Sequence, residues 1–136
     1  GLIPAPYFAL YASTKHAIEG YSESLDHEVR PFGIRVALVE PAYTRTSFEE
    51  SLATPDRLLD IYNSSRAGMK VSVRKAMEKG DMPDVVAKTV MAAATDPEPK
   101  RRYAAGKTAR QVSLLRRFVP ASAFDKSLRK QLGLPV

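Results

Sequence analysis

The chain of 136 residues carries 21 Lys and Arg against 15 Asp and Glu, and is 44% hydrophobic and 26% charged. This balance excludes disordered and fibrous classes and allows one domain with a core, while no run of about 18 apolar residues is present to cross a membrane. Cysteine is absent, which excludes disulfides and thiolate metal sites and fits a cytoplasmic location; His16 and His27, without a carboxylate cluster, make a poor metal site.

The first seven residues contain Pro4 and Pro6 and are expected to be extended or turning. From about residue 8 to 31, Leu10, Ala17, Ile18, Tyr21, Leu25 and Val29 follow helical spacing, with Glu19, Glu23, Asp26 and Glu28 between them. Pro31 and Gly33 stop that helix. Ile34, Val36, Ala37, Leu38 and Val39 then form a short apolar run rich in β-branched residues. This predicts a strand over 34–40, covered on both faces as in a parallel sheet and stopped by Pro41. A long helix feeding such a strand is half of an alternating α/β pattern.

Residues 43–80 form a long, partly helical middle, with Thr54 or Asp56 as a cap near Pro55 and with apolar residues such as Phe48, Leu58, Tyr62 and Met69. An excursion of this kind either covers a ligand or packs on the core. Pro83 and Asp84 open another helix, Pro97 lies beyond its end, and the residues from Arg101 to Gly106 read as one short strand. Basic helices are expected over about 108–132, where Phe124, Leu128 and Leu132 recur every four residues.

Chemistry concentrates near the start. On a helix, Tyr11 and Lys15 share a face, about 5–6 Å apart at their Cβ atoms. A free phenol titrates near pH 10 and is a poor proton donor or acceptor at neutrality, whereas an ammonium group beside a phenol favours the phenolate. Such a pair can exchange a proton with a substrate oxygen. The four-residue spacing taken alone reads as an ordinary helix-surface pair. Tyr7 continues the row at i−4 and either borders a substrate pocket or packs where the helix begins; the second is expected. His16 and the stripe Glu19, Glu23 and His27 are expected to face solvent or a second subunit.

The wider context changes that reading. Tyr11, Ser13, Lys15, Ala17, Glu19 and Gly20 are followed by Ser22, Ser24, Leu25 and Glu28, then Gly33 to Val36, then Pro41, Ala42, Tyr43, Thr44, Arg45 and Thr46. In this combination the chain resembles the short-chain dehydrogenase/reductase family. The resemblance implies an α/β fold, the C-terminal part of a Rossmann-like doubly wound parallel sheet domain. It implies an oxidoreductase that moves a hydride between NAD or NADP, with NADP slightly favoured, and a small-molecule carbonyl or alcohol. Tyr11 is then the general acid/base, and Lys15 holds the nicotinamide ribose hydroxyls and makes the phenol more acidic. Pro41, Ala42, Tyr43, Thr44 and Thr46 are implied contacts of the cofactor, the two threonines through backbone and hydroxyl groups. Ala42 stands where the family has glycine. It is strained if the backbone there needs a positive φ and tolerable if only a close approach is needed; the second is expected. The apolar middle suggests a hydrophobic substrate, and the family's use of this helix between subunits implies a homo-oligomer.

The phosphate loop of a dinucleotide site is missing from this sequence. Its glycines lie at 1, 20, 33, 68, 80, 106 and 133, with no G-x-G pair. The family is typically about twice as long, and its catalytic serine would fall just before Gly1. The chain is therefore expected to be the C-terminal half of one domain, to supply two strands and to bind cofactor weakly by itself. The other reading is a non-catalytic interaction module that keeps the fold.

Charge is uneven. From Lys100 onward ten Lys and Arg face one acid, Asp125, while the preceding residues hold eleven basic and fourteen acidic side chains. The basic tail is either a solvated face opposite a packed apolar stripe or a weak membrane-surface contact; no nucleic-acid partner is expected, since no base-reading motif is present.

Overall fold

The computed structural model describes residues 3–48 and 56–132. Helix α1 spans Ala9–Val29 and tightens into a 3-10 turn over Arg30–Phe32. Gly33 caps it at φ +75°, with its N–H on the Arg30 carbonyl at 3.0 Å. That left-handed backbone is why glycine stands there, since a Cβ would be strained.

Strand β1, Leu38–Pro41, pairs in parallel with β2, Arg102–Ala105, in a register running from Leu38 opposite Arg102 to Pro41 opposite Ala105. The ladder starts at Leu38, not at Ile34 as the apolar run suggested. The Leu38 N–H reaches the Arg101 carbonyl at 2.8 Å, whereas the Val36 N–H is taken at 2.9 Å by the Asp26 carboxylate. A side chain of α1 thus competes for the backbone that would have extended the strand. Nor is β1 covered on both faces: Leu38, Val39 and Glu40 are half-buried and Pro41 is exposed, because a sheet of two strands is too narrow to be enclosed.

Between the strands lie α2, Asn63–Glu78, and α3, Pro83–Thr95; α4, Gly106–Phe118, and α5, Ala121–Gln131, follow β2. The first helix of the middle begins seven residues after Asp56, behind a 3-10 turn over Asp60–Tyr62 in which Asn63 Nδ2 donates to Asp60 Oδ1 at 3.0 Å. Asp56 is therefore no cap, and Thr54 lies outside the described residues. Pro83 opens α3, where its missing N–H costs nothing.

Two polar devices hold α1 to the sheet. Asp26, 1% exposed, accepts from Arg30, from Arg35 at 3.0 Å and from the Val36 N–H, and these donors hold its carboxyl well below the usual carboxylate range. Arg102 of β2 donates to Glu19 and Glu23 of α1, each at 2.8 Å, and to Glu40 of β1. The stripe expected to face solvent is thus largely an ion-pair network, because β2 brings a guanidinium across it. Its remaining member, His27, is exposed.

Apolar burial is sparse by comparison. Among the described residues, Ala12, Met69, Val73, Ala105 and Ala109 are the buried hydrophobic side chains. The chain exposes 10140 Å², against roughly 7,000 Å² for a compact protein of its mass. Leu10, Ile18, Tyr21, Phe32 and Ile34 all remain exposed on or next to α1.

Candidate active site

The segment before α1 turns sharply. Tyr7 has φ +64°, and the Phe8 carbonyl starts the helix by accepting the Ala12 N–H at 2.7 Å. Tyr7 consequently precedes the helix and does not continue the Tyr11–Lys15 row. Its ring packs edge-on against Tyr62, with centroids 6.1 Å apart, linking the start of α1 to the middle segment.

One turn into α1, Lys15 places its Nζ over the Tyr11 ring, 5.3 Å from the centroid. The pair shares a face, as the spacing required, and the ammonium is drawn to the negative face of the ring. Tyr11 is 41% exposed and Lys15 is also exposed, so both groups are open to a ligand. The phenol ring is braced edge-on by Phe8, 6.3 Å away at 80°, and by Phe48, 5.3 Å away at 67°. Phe48 is the ring neighbour of Tyr11 that sequence reasoning missed. It was one apolar residue among many in the middle segment, and its only signal was its place two residues after Thr46. It ties the chain following β1 directly to α1.

The nearby hydroxyls are otherwise engaged. Ser13 donates to the Leu10 carbonyl at 2.7 Å and Thr14 to the Tyr11 carbonyl at 2.8 Å. His16 Nδ1 lies 2.8 Å from the Ala12 carbonyl. These groups are turned back onto their own helix.

The loop leaving β1 is held from behind. Thr44 bridges Asp81 in parallel, with the Asp81 N–H on the Tyr43 carbonyl at 2.9 Å and the Arg45 N–H on the Asp81 carbonyl at 3.0 Å. Gly80 makes that approach possible, because a Cβ there would stand 2.5 Å from the Tyr43 carbonyl oxygen. The Thr44 hydroxyl donates to the Ala42 carbonyl at 3.3 Å, and Thr46 is exposed. Ala42 has no positive φ, so its methyl is unstrained where the family has glycine. Desolvation pushes the Tyr43 phenol above its ordinary value, which keeps it protonated. Among the described residues no His, Asp and Glu cluster could hold a metal, and no helix is long and apolar enough to cross a membrane.

A helix that runs into a strand, a parallel partner reached through further helices, and a polar loop at the carboxyl end of the first strand are parts of an open α/β domain of Rossmann type. A family model described as short chain dehydrogenase matches residues 1–57. An uncharacterized oxidoreductase of Schizosaccharomyces pombe is 30% identical over 98% of this chain and 56% of its own length. One of Bacillus subtilis is 34% identical over 97% of this chain and 49% of its own. The 17-beta-hydroxysteroid dehydrogenase type 6 of Mus musculus is 26% identical over 96% of this chain and 45% of its own. The chain belongs to the short-chain dehydrogenase/reductase family, and it spans about half the length of the curated relatives it matches.

Proposed function

We propose that this chain carries the proton-transfer half of a nicotinamide-dependent oxidoreductase, with Tyr11 as the general acid/base and Lys15 as its partner. The observation that carries the reading is the Lys15 ammonium seated 5.3 Å from the centre of the Tyr11 ring on an open face of α1.

The residues present fit the nicotinamide and ribose portion of NAD or NADP. An exposed ammonium and phenol stand on α1, and Thr44 and Thr46 lie on the loop at the carboxyl end of β1, the edge where open α/β sheets take such ligands. Lys15 would hold the ribose hydroxyls; Ala42, Tyr43, Thr44 and Thr46, just beyond Pro41, would meet the nicotinamide end. Bound there, the cofactor gives or takes the hydride. In reduction, Tyr11 donates its proton to the substrate oxygen as the carbonyl carbon gains the hydride. In oxidation, the phenolate takes the alcohol proton. The Lys15 ammonium lies beside the ring on which negative charge is left after donation.

The rings of Phe8 and Phe48 beside Tyr11 favour an apolar carbonyl or alcohol, in keeping with the steroid in the name of the mouse relative. In this reading residues 1–136 are the C-terminal half of one NAD(P)-binding domain, residues of about 43–80 cover the substrate, and the complete protein pairs with a second copy. The test is turnover of steroid and retinoid ketones with NADH or NADPH by a protein containing this segment, with Tyr11→Phe beside it. Loss of turnover with an unchanged circular dichroism spectrum supports the reading; undiminished turnover in the variant refutes the role given to Tyr11, and a parent protein without turnover favours a module without chemistry.

A further inference from the structure

The basic tail allowed a solvated face opposite a packed apolar stripe; on α5 and its cap Phe124, Leu128 and Leu132 are half-buried opposite exposed Lys126 and Lys130, but α4 does not have that arrangement. Leu114, Leu115 and Phe118 are 58%, 51% and 72% exposed, while Ala109 takes the buried side. Lys107, Arg110, Leu114 and Phe118 follow one another at spacings of three and four, so cations and exposed apolar groups share one face. Lys107 and Arg110 are exposed and make no ion pair among the described residues. Beside them an open groove of about 490 Å³ runs between α3 and α4, lined by Val85, Lys88, Lys107, Arg110 and Leu114. The Arg116 guanidinium lies over the Phe124 ring at 5.3 Å, fastening α5, which carries Lys126 and Lys130, to the last turn of α4.

We propose that the α4–α5 pair docks on the surface of an anionic phospholipid bilayer. Leu114, Leu115 and Phe118 would enter the boundary between headgroups and acyl chains, and Lys107, Arg110 and Arg117 would meet lipid phosphates. Charge selects this occupant. Residues 106–131, which make up α4 and α5, hold seven cations and one acid, which attracts a negative surface. The exposed apolar residues of α1 instead lie on a helix with Lys15 as its one Lys or Arg, which offers such a surface no cationic excess. The apolar groups also select it: the two leucines bury well in lipid and cannot stack on bases, as binding to a single-stranded nucleic acid would need. The proposal does not depend on Tyr11 or Lys15.

Co-flotation of the 136-residue chain with vesicles tests it. Binding to phosphatidylcholine vesicles containing phosphatidylserine, little binding to phosphatidylcholine alone, and release by salt are expected. The K107E/R110E pair lowers the partition by at least about 25-fold, from roughly fivefold per cation removed. The L114S/F118S pair lowers it by about tenfold or more through lost insertion. The same charge change at the C-terminal end of α2 and its cap, K75E/K79E, leaves it nearly unchanged. All six positions are exposed, so far-ultraviolet circular dichroism should match the parent chain. Equal binding to both vesicle types, equal loss from the α2 pair, or preference for polyuridylate over anionic vesicles would overturn the proposal.

Discussion

Replacing Arg102 with methionine should loosen α1 from the sheet while leaving the side-chain volume nearly filled. The guanidinium makes two bonds to carboxylates that are nearly buried, Glu19 at 15% and Glu40 at 12% exposure, and a third to Glu23 at 42%. A bond between charged partners nets about 1.5–3 kcal/mol in a protected setting, and an exposed pair about 0–1 kcal/mol. Arg102 is itself 35% exposed, so water screens all three; halving the sum leaves about 1.5–3.5 kcal/mol. The loss also strands the Glu40 carboxylate against the sheet without its cation. Against the 5–15 kcal/mol of an ordinary domain this is large. With a slope of about 2 kcal/mol per molar, the urea midpoint should fall by roughly 1 M at unchanged slope. Arg102→Lys, which keeps the charge but loses the fork, should fall between parent and methionine. A midpoint shift under about 0.3 M would show that the network merely decorates a contact made by packing.

Gly80→Ala drives a methyl to within 2.5 Å of the Tyr43 carbonyl oxygen and 3.0 Å of the Met77 carbonyl oxygen. It should cost about 1–3 kcal/mol and raise hydrogen exchange at the Asp81 and Arg45 amides; unchanged exchange would contradict the role given to this approach. Asp26 titrates below its ordinary range when folded, so the unfolded chain takes up its proton first as pH falls. Its contribution is complete above about pH 5 and drains away below the usual aspartate value near 3.9. Asp26→Asn should therefore be less stable at neutral pH and show a flatter decline between pH 5 and 3; a parallel decline would assign acid sensitivity elsewhere. Fluorescence titration of the 136-residue chain with NADH or NADPH should show weak or no binding, since no G-x-G loop is available for the pyrophosphate. Micromolar affinity would contradict this.

Much of α1 was legible because several signals agree there. Helical spacing runs from Leu10 to Val29, Gly33 supplies the left-handed cap, and an i, i+4 pair must share a face. Thr44 and Thr46 were legible as the polar continuation of a strand, and Pro83 as a helix start. The beginning of β1 was not, because Asp26 captures the Val36 N–H from ten residues away in sequence. Arg102 was invisible for the same kind of reason: its partners lie 62 to 83 residues earlier, and nothing local marks it out from the other cations of the tail. Phe48 against Tyr11 is likewise a contact between elements. Exposure was the remaining gap. Periodicity announces the apolar stripe of Phe124 and Leu128 on α5, which is half-buried, and gives no sign that Leu114 and Phe118 of α4 are open.

A double-mutant cycle on turnover decides whether Tyr11 and Lys15 act as one unit. Tyr11→Phe, Lys15→Met and the double variant should be compared in a catalytically competent protein containing this segment, at saturating cofactor. A shared proton transfer predicts a loss of about 100-fold or more for Tyr11→Phe, and a double variant hardly worse than that single one. Multiplying losses, or a phenylalanine variant that still turns over, would show that the ammonium beside the ring is only a surface neighbour.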